Sequence, residues 1–226
     1  MIPAVNEEKS IGRVLKDIPG EVQWVIVADN GSTDGTARAA REQGARVVAE
    51  PRRGYGYACL AGIANLPAEA EIVVFMDGDY SDYPADLSDL VFAMVEHQAD
   101  LVIGSRVLGE RQKGSLTPQQ RFGNWLSTRL IRLLYGFSYT DLGPFRAIRA
   151  DALRRLNMQD RTYGWTVEMQ VKALQHQMKV VEVPVRYRKR IGKSKVSGTI
   201  SGSVKAGAKI LWTIGKLAVK KPKIED

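Results

Sequence analysis

The sequence predicts an α/β domain whose mostly parallel central sheet is flanked by helices. Short apolar runs bounded by turn residues alternate with helical patterns, the rhythm of strand–helix repeats. The run at 72–76 is apolar on both faces, as a central parallel strand is. Three apolar runs end in polar, glycine-containing turns, and open α/β sheets hold their ligands at the carboxyl ends of their strands.

In chain order, the expected strands are residues 23–28, 45–49, 71–76, 100–104 and 179–185. Helices are expected between them near 8–17, 36–43, 57–66 and 84–97. Only Met1 and Ile2 precede the turn Pro3-Ala4-Val5-Asn6-Glu7-Glu8, too few for a first strand, so a few residues of that strand are expected to be missing. The second half departs from the alternation. A mobile loop is expected at 107–120, a long helix near 119–134, a turn at 140–145 and a helix at 166–177. After the strand ending at 185 come a basic loop, 186–199, and a final helix near 201–220.

The chain has 226 residues, enough to bury one substantial core, and its 44% hydrophobic and 26% charged composition excludes a disordered or fibrous chain. The single cysteine, Cys59, excludes an internal disulfide or a cysteine-based zinc cluster, and its small-residue surroundings predict a core position. No signal-peptide pattern opens the sequence and no uncharged apolar stretch is long enough to span a bilayer. The expected setting is cytoplasmic. The net charge of +8 is uneven: residues 186–226 hold 12 Lys/Arg against 2 Asp/Glu, whereas 1–185 sum to −2. A nucleic-acid binder would carry its basic patch through the fold, so a basic tail on a slightly acidic body points instead to an anionic surface or acceptor.

Asp77-Gly78-Asp79 is the strongest chemical signal. Carboxylates at i and i+2 on a strand-like backbone point to one side, and Gly78 is expected to permit a tight turn between them. Such paired hard oxygens suit Mg²⁺ or Mn²⁺ carried by a diphosphate. In the neighbouring turn 29–36, Asp34 and Thr36 read as helix caps and Asp29 as an acceptor for a base N–H. His97 and His176 sit in no strand-end turn and read as surface or packing residues. No P-loop pattern is present, and Gly54-Tyr55-Gly56 falls outside the strand–turn–helix setting of a dinucleotide site.

P-A-x-N-E-E, D-N-G-S-T-D-G-T, E-P-R-R-G-Y-G-x-A, M-D-G-D, G-S-R and T-D-L-G-P-F-R-A occur in this order. Together they resemble glycosyltransferase family 2, with the GT-A fold, and most of all its dolichol-phosphate mannose synthase and polyprenyl-phosphate glycosyltransferase branch. The resemblance runs from residue 2 to about 199. It implies a GT-A domain over 1–185, followed by a basic loop and amphipathic helix over 186–226 packed on or beside it. Pro3, Ala4, Asn6, Glu7 and Asp29 would line the nucleobase and ribose pocket, with Arg53 and Gly54 beside them. Asp77 and Asp79, around Gly78, would bind the metal on the diphosphate. Arg106 and Arg121 would face the acceptor. Asp141, Arg146 and Glu168 would line the sugar and acceptor side. Pro144 stands where some relatives have an acidic residue, which leaves Asp141 and Glu168 as competing acidic candidates. Arg188, Arg190 and Lys195 belong to a segment that resembles the loop closing over the donor.

The implied chemistry is an inverting displacement from a nucleotide-diphospho-sugar, of UDP-glucose or GDP-mannose type, with UDP-glucose favoured as a common family donor. A hydroxyl acceptor needs a general base, Asp141 or Glu168; a polyprenyl phosphate is already ionised and needs cations instead. Lys205, Lys209, Lys216 and Lys220 fall in an arc of about 60° on a helix, opposite Ile200, Val204, Leu211, Ile214 and Ala218. That stripe suits peripheral binding to the cytoplasmic face of a membrane, or a terminal helix docked on the domain. The expected acceptor is therefore a lipid phosphate. A soluble sugar acceptor and a non-catalytic nucleotide-binding protein are the competing readings.

Overall fold

The computed structural model describes residues 1–192 and 200–219. Its strands are β1 (Ile2–Ala4), β2 (Ile26–Asp29), β3 (Arg46–Ala49), β4 (Ile72–Phe75), β5 (Leu101–Ser105), β6 (Arg146–Arg149) and β7 (Val180–Pro184). Its helices are α1 (Glu8–Lys16), α2 (Thr36–Glu42), α3 (Tyr55–Ile63), α4 (Leu87–Glu96), α5 (Pro118–Tyr135), α6 (Ala150–Leu156), α7 (Trp165–Gln175) and α8 (Ile200–Val219).

Strands β1, β2 and β3 form a parallel sheet, and β4, β6, β5 and β7 follow in that spatial order. The Met76 N–H donates to the Met1 carbonyl at 3.3 Å, which sets β4 beside the start of β1. Strands β5 and β7 are parallel, whereas β6 runs antiparallel between β4 and β5. Alternate residues feed opposite layers, as the period of a strand requires. Val73, Phe75, Leu101, Ile103 and Ile148 pack with Trp165 and Ile131 on one side; Val27, Val102 and Ala147 pack with Ile11, Leu90 and Met94 on the other.

Three sequence expectations need correction. First, β1 does form, over Ile2–Ala4, because full pairing with β2 offsets its shortness. Second, β6 and α6 were not anticipated. Arg146-Ala147-Ile148-Arg149 hides its strand character behind charged ends, yet Arg146 is buried and both its neighbours are strands. Third, Gly78 has no left-handed backbone; the left-handed residue of that turn is Tyr80, at φ 66°. A Cβ at Gly78 would make only ordinary contacts with Ile2, Ala4 and Ile11.

The antiparallel insertion has a functional consequence. Arg146 lies opposite both Phe75 and Ile103, so the residues leading into β6 arrive at the carboxyl ends of β4 and β5. Helix α5 starts cleanly: Thr117 and Gln120 form a reciprocal capping box, Pro118 opens the first turn, and left-handed Gly136 ends it. An apolar cavity of about 690 Å³ lies at the other end of the strands, among Trp24, Val25, Ile26, Ile72, Val74 and Phe92.

Candidate active site

The loops after β1, β2, β3 and β4 enclose a cleft of about 300 Å³. It is lined by Pro3, Ala4, Asn6 and Glu7, by Asn30, by Arg53, Gly54 and Tyr55, and by Asp77, Gly78 and Asp79, with Tyr163 and Arg190 closing the mouth. The first two loops are clasped together. The Thr33 N–H donates to Asn6 Oδ1 at 2.8 Å, the Asn6 N–H to Ser32 Oγ at 2.9 Å, and the Glu7 N–H to Thr36 Oγ1 at 2.7 Å. Asp34 accepts from the Thr36 N–H and the Glu8 N–H, so it braces the starts of α2 and α1 together. Asp29, expected in the nucleobase pocket, is not among the residues lining the cleft; its Oδ1 accepts from the Ser32 N–H at 3.1 Å, and its neighbour Asn30 lines the cleft instead.

Buried Asn30 anchors the third loop: its amide donates to the carbonyls of Glu50 and Arg52, and its Oδ1 accepts from the Gly54 N–H at 2.8 Å. The chain then turns into α3 through Gly54, at φ 149°. A Cβ at Gly54 would stand 2.3 Å from the Arg161 carbonyl oxygen, and one at Gly56 would stand 2.1 Å from that of Asp160. Glycine at both positions lets the 160–164 segment close against α3 and brings Tyr163 to the mouth.

The acidic turn is electrostatically loaded. Burial, then the charge of Asp79, pushes the Asp77 carboxyl up to about 7. Burial, then the charges of Asp77 and Asp79, raises Asp82 as well. Asp79 accepts from the Ser81 N–H and hydroxyl and pairs with Arg190 at 3.0 Å. The same guanidinium lies 3.3 Å from Glu7 Oε1, so Arg190 bridges the first and fourth loops. Arg188 behaves differently. It donates to the Tyr80 carbonyl at 2.6 Å and stacks on the Tyr80 and Tyr83 rings, pinning the basic segment outside the turn and not lining the cleft. Lys195 lies outside the described residues.

Among the residues expected on the acceptor side, Arg106 and Asp141 form a bidentate pair: Nε donates to Oδ2 and a terminal nitrogen to Oδ1, both at 2.7 Å. The Asp141 side chain is 1% exposed and that of Arg106 13%. Glu182 holds the Thr140 and Asp141 N–H groups from below. Arg146 is buried against the carbonyls of Leu142, Gly143 and Thr166, and burial lowers its guanidinium to about 10. It braces the 140–146 turn from inside. Glu168 is buried too, accepting from the Gln159 and Asp160 N–H groups and pairing with Lys172 at 2.8 Å. Arg121 is exposed in the first turns of α5. Asn124, on the same helix, donates to the Thr140 carbonyl and accepts from the Leu142 N–H, tying α5 to the Asp141 turn.

The family model for glycosyl transferase family 2 matches residues 1–156. The chain belongs to glycosyltransferase family 2. A glycosyltransferase of Mycobacterium tuberculosis with no assigned substrate is 40% identical over 206 residues, covering 90% of this chain and 91% of that one. An undecaprenyl-phosphate mannosyltransferase of Micrococcus luteus is 32% identical, covering 89% and 88%. A dolichyl-phosphate hexose transferase of Haloferax volcanii is 32% identical, covering 95% and 89%. These relatives support the polyprenyl-phosphate glycosyltransferase-like branch of the family. Glucosyl-3-phosphoglycerate synthase from Mycobacterium tuberculosis, solved with Mn²⁺, UDP and phosphoglyceric acid, superposes with a TM-score of 0.77 at 21% identity, covering 98% of this chain and 78% of that one. The fold is GT-A.

In this family 2 chain the acidic turn fits a divalent ion delivered with its ligand. Asp77 and Asp79 are close enough to repel, and buried Asp82 Oδ1 has no hydrogen-bond partner among the described residues. A cation there would relieve both conditions. Among the described residues no group of three or more His, Cys, Asp and Glu is placed to hold an ion, so these carboxylates would supply only part of its shell. Asn30, Tyr55 and Tyr163 were missed by sequence reasoning. Asn30 follows Asp29 at a strand end, which was a usable signal; Tyr163 carries none.

Proposed function

We propose that this chain is a metal-dependent, inverting hexosyltransferase that moves a hexose from a nucleotide-diphospho-sugar to a polyprenyl phosphate. The clasped loops around Pro3, Ala4, Asn6, Asn30 and Gly54 form the nucleoside side of the cleft. Asp77 and Asp79 would hold Mg²⁺ or Mn²⁺, which would supply Lewis-acid stabilisation of the departing nucleoside diphosphate. Arg190 stands at the same place and adds a fixed positive charge where leaving-group charge develops.

The observation that carries the acceptor reading is the state of the two candidate bases. Asp141 is bound bidentately by Arg106, and Glu168 is saturated by Lys172 and two backbone N–H groups. Neither offers a free carboxylate oxygen to take a hydroxyl proton. An ionised phosphate attacks without one, so the arrangement suits a phosphate acceptor. The two relatives named for undecaprenyl-phosphate and dolichyl-phosphate transfer support the same reading.

Donor and acceptor are tested separately. Thermal stabilisation by UDP, GDP and their sugars, with and without Mn²⁺ or Mg²⁺, identifies the donor; no metal-dependent stabilisation by any nucleotide overturns the donor reading. Incubation with labelled donor and undecaprenyl phosphate is expected to give butanol-extractable label. Label that follows a free sugar or another soluble acceptor overturns the lipid reading and leaves the donor chemistry standing.

A further inference from the structure

Helices α5 and α8 pack against each other beside the acceptor side of the site, and neither carries an Asp or a Glu. Their outward residues are unusual for a water-facing surface. On α5, Phe122, Trp125, Arg129 and Leu133 fall at i, i+3, i+7 and i+11, one stripe of a helix. Phe122 is 61% exposed, Trp125 52% and Leu133 81%. Phe122 and Trp125 stack at 5.9 Å, and the Arg129 guanidinium lies over the Trp125 ring. On α8, exposed Trp212 has the ammonium groups of Lys209, which pairs with Asp160 at 2.8 Å, and Lys216 at 4.4 and 4.8 Å from its ring centre. Val204, which the helical wheel put on the docked face, is exposed as well.

We infer that the α5 stripe, flanked by Trp212 and Lys216 of α8, is the surface through which this chain docks on an anionic lipid bilayer. Aromatic rings backed by Arg and Lys, with no acid on either helix, match an interface where apolar rings sit at headgroup depth and cations meet lipid phosphates. Exposure of apolar residues alone would not suffice. Phe92 and Val95 are equally exposed on α4, but α4 holds Asp89 and Glu96 and no Lys or Arg, so that face lacks the charge a negative membrane selects. The position of α5 adds a reason for docking here: Asn124 ties it to the Thr140–Leu142 turn, so a bilayer seated on the stripe lies against the acceptor side. The inference deepens the polyprenyl-phosphate reading and rests on it for its purpose, while its test is a binding measurement that does not require turnover.

The full chain is sedimented with vesicles of phosphatidylcholine alone or mixed with phosphatidylglycerol, at about 0.1 M and about 0.5 M salt. Binding is expected to the mixed vesicles, weakened at high salt. The double variant Phe122→Ala/Trp125→Ala is expected to lose at least about tenfold in partitioning, and Arg129→Glu to lose binding to the anionic vesicles selectively. Phe92→Ala serves as the control and should bind like the parent. Metal-dependent stabilisation by nucleotide should be unchanged in all of them, which certifies the fold and separates failure here from failure of the donor reading. Absence of vesicle binding, equal binding to neutral vesicles, or a double variant that binds like the parent overturns the inference. So does a result in which the double variant changes only the oligomeric state, because the stripe would then cover a second copy of the chain.

Discussion

Replacing Asp141 by Asn separates a structural carboxylate from a catalytic base. The parent side chain is buried and accepts two charge-assisted hydrogen bonds from Arg106 at 2.7 Å, plus one from the Arg106 N–H at 2.9 Å. The amide keeps the shape and one oxygen but leaves a guanidinium buried without its counter-charge. Breaking a buried ion pair on one side costs about 3–5 kcal/mol, and the isosteric change belongs near the lower end. For a chain of this size each kcal/mol moves Tm by about 2–4 °C, so a fall of roughly 6–12 °C is expected in a thermal melt. The double variant Arg106→Met/Asp141→Leu removes both charges and should melt closer to the parent than Asp141→Asn does, since an apolar pair needs no compensation in a buried site. Turnover with a polyprenyl phosphate should follow stability for Asp141→Asn, which keeps Arg106 and is expected to retain activity below its melting range. If Asp141→Asn melts within about 2 °C of the parent while kcat falls by about 10² or more, the carboxylate takes part in the chemistry and the base-free reading is wrong.

Two further outcomes follow from the cleft. Asp79→Asn removes one of the paired carboxylates and a partner of Arg190, so Mn²⁺-dependent stabilisation by nucleotide should disappear, while Glu7 still holds Arg190 and the ligand-free melt should move by only a few degrees; undiminished metal dependence would remove Asp79 from the site. Gly56→Ala puts a Cβ 2.1 Å from the Asp160 carbonyl oxygen, a backbone atom that cannot rotate away, so a loss of about 1–3 kcal/mol and weaker nucleotide binding through displaced Gly54 are expected; a melt equal to the parent's would show that the α3 contact is looser than described.

The cleft was readable because its residues are local. Pro3, Ala4, Asn6, Glu7, Arg53, Gly54, Asp77, Gly78 and Asp79 all follow strands whose apolar runs announce them, and they come together around one cleft. The Arg106–Asp141 pair was not readable in the same way. Arg106 and Asp141 are 35 positions apart and join only because β6 runs antiparallel between β4 and β5. A four-residue strand that begins and ends in Arg gives periodicity nothing to detect. Arg146 illustrates the same difficulty: expected to line the sugar and acceptor side, it is buried against three backbone carbonyls. The basic segment divides likewise, with Arg190 in the cleft and Arg188 stacked on two tyrosines outside it.

Sequence alone determined the alternating fold class, the Asp77-Gly78-Asp79 turn and the concentration of positive charge in the last 41 residues. Each depends on neighbours in the chain: apolar period, i and i+2 spacing, and composition. Tertiary structure decided what those groups are bonded to. It spent Asp141 and Glu168 on buried cations, brought Arg190 across to Glu7 and Asp79, and left Phe122 and Trp125 facing outward beside arginine. A carboxylate's role depends on whether its charge is already compensated, and compensation comes from residues far along the chain that only the sheet order brings near.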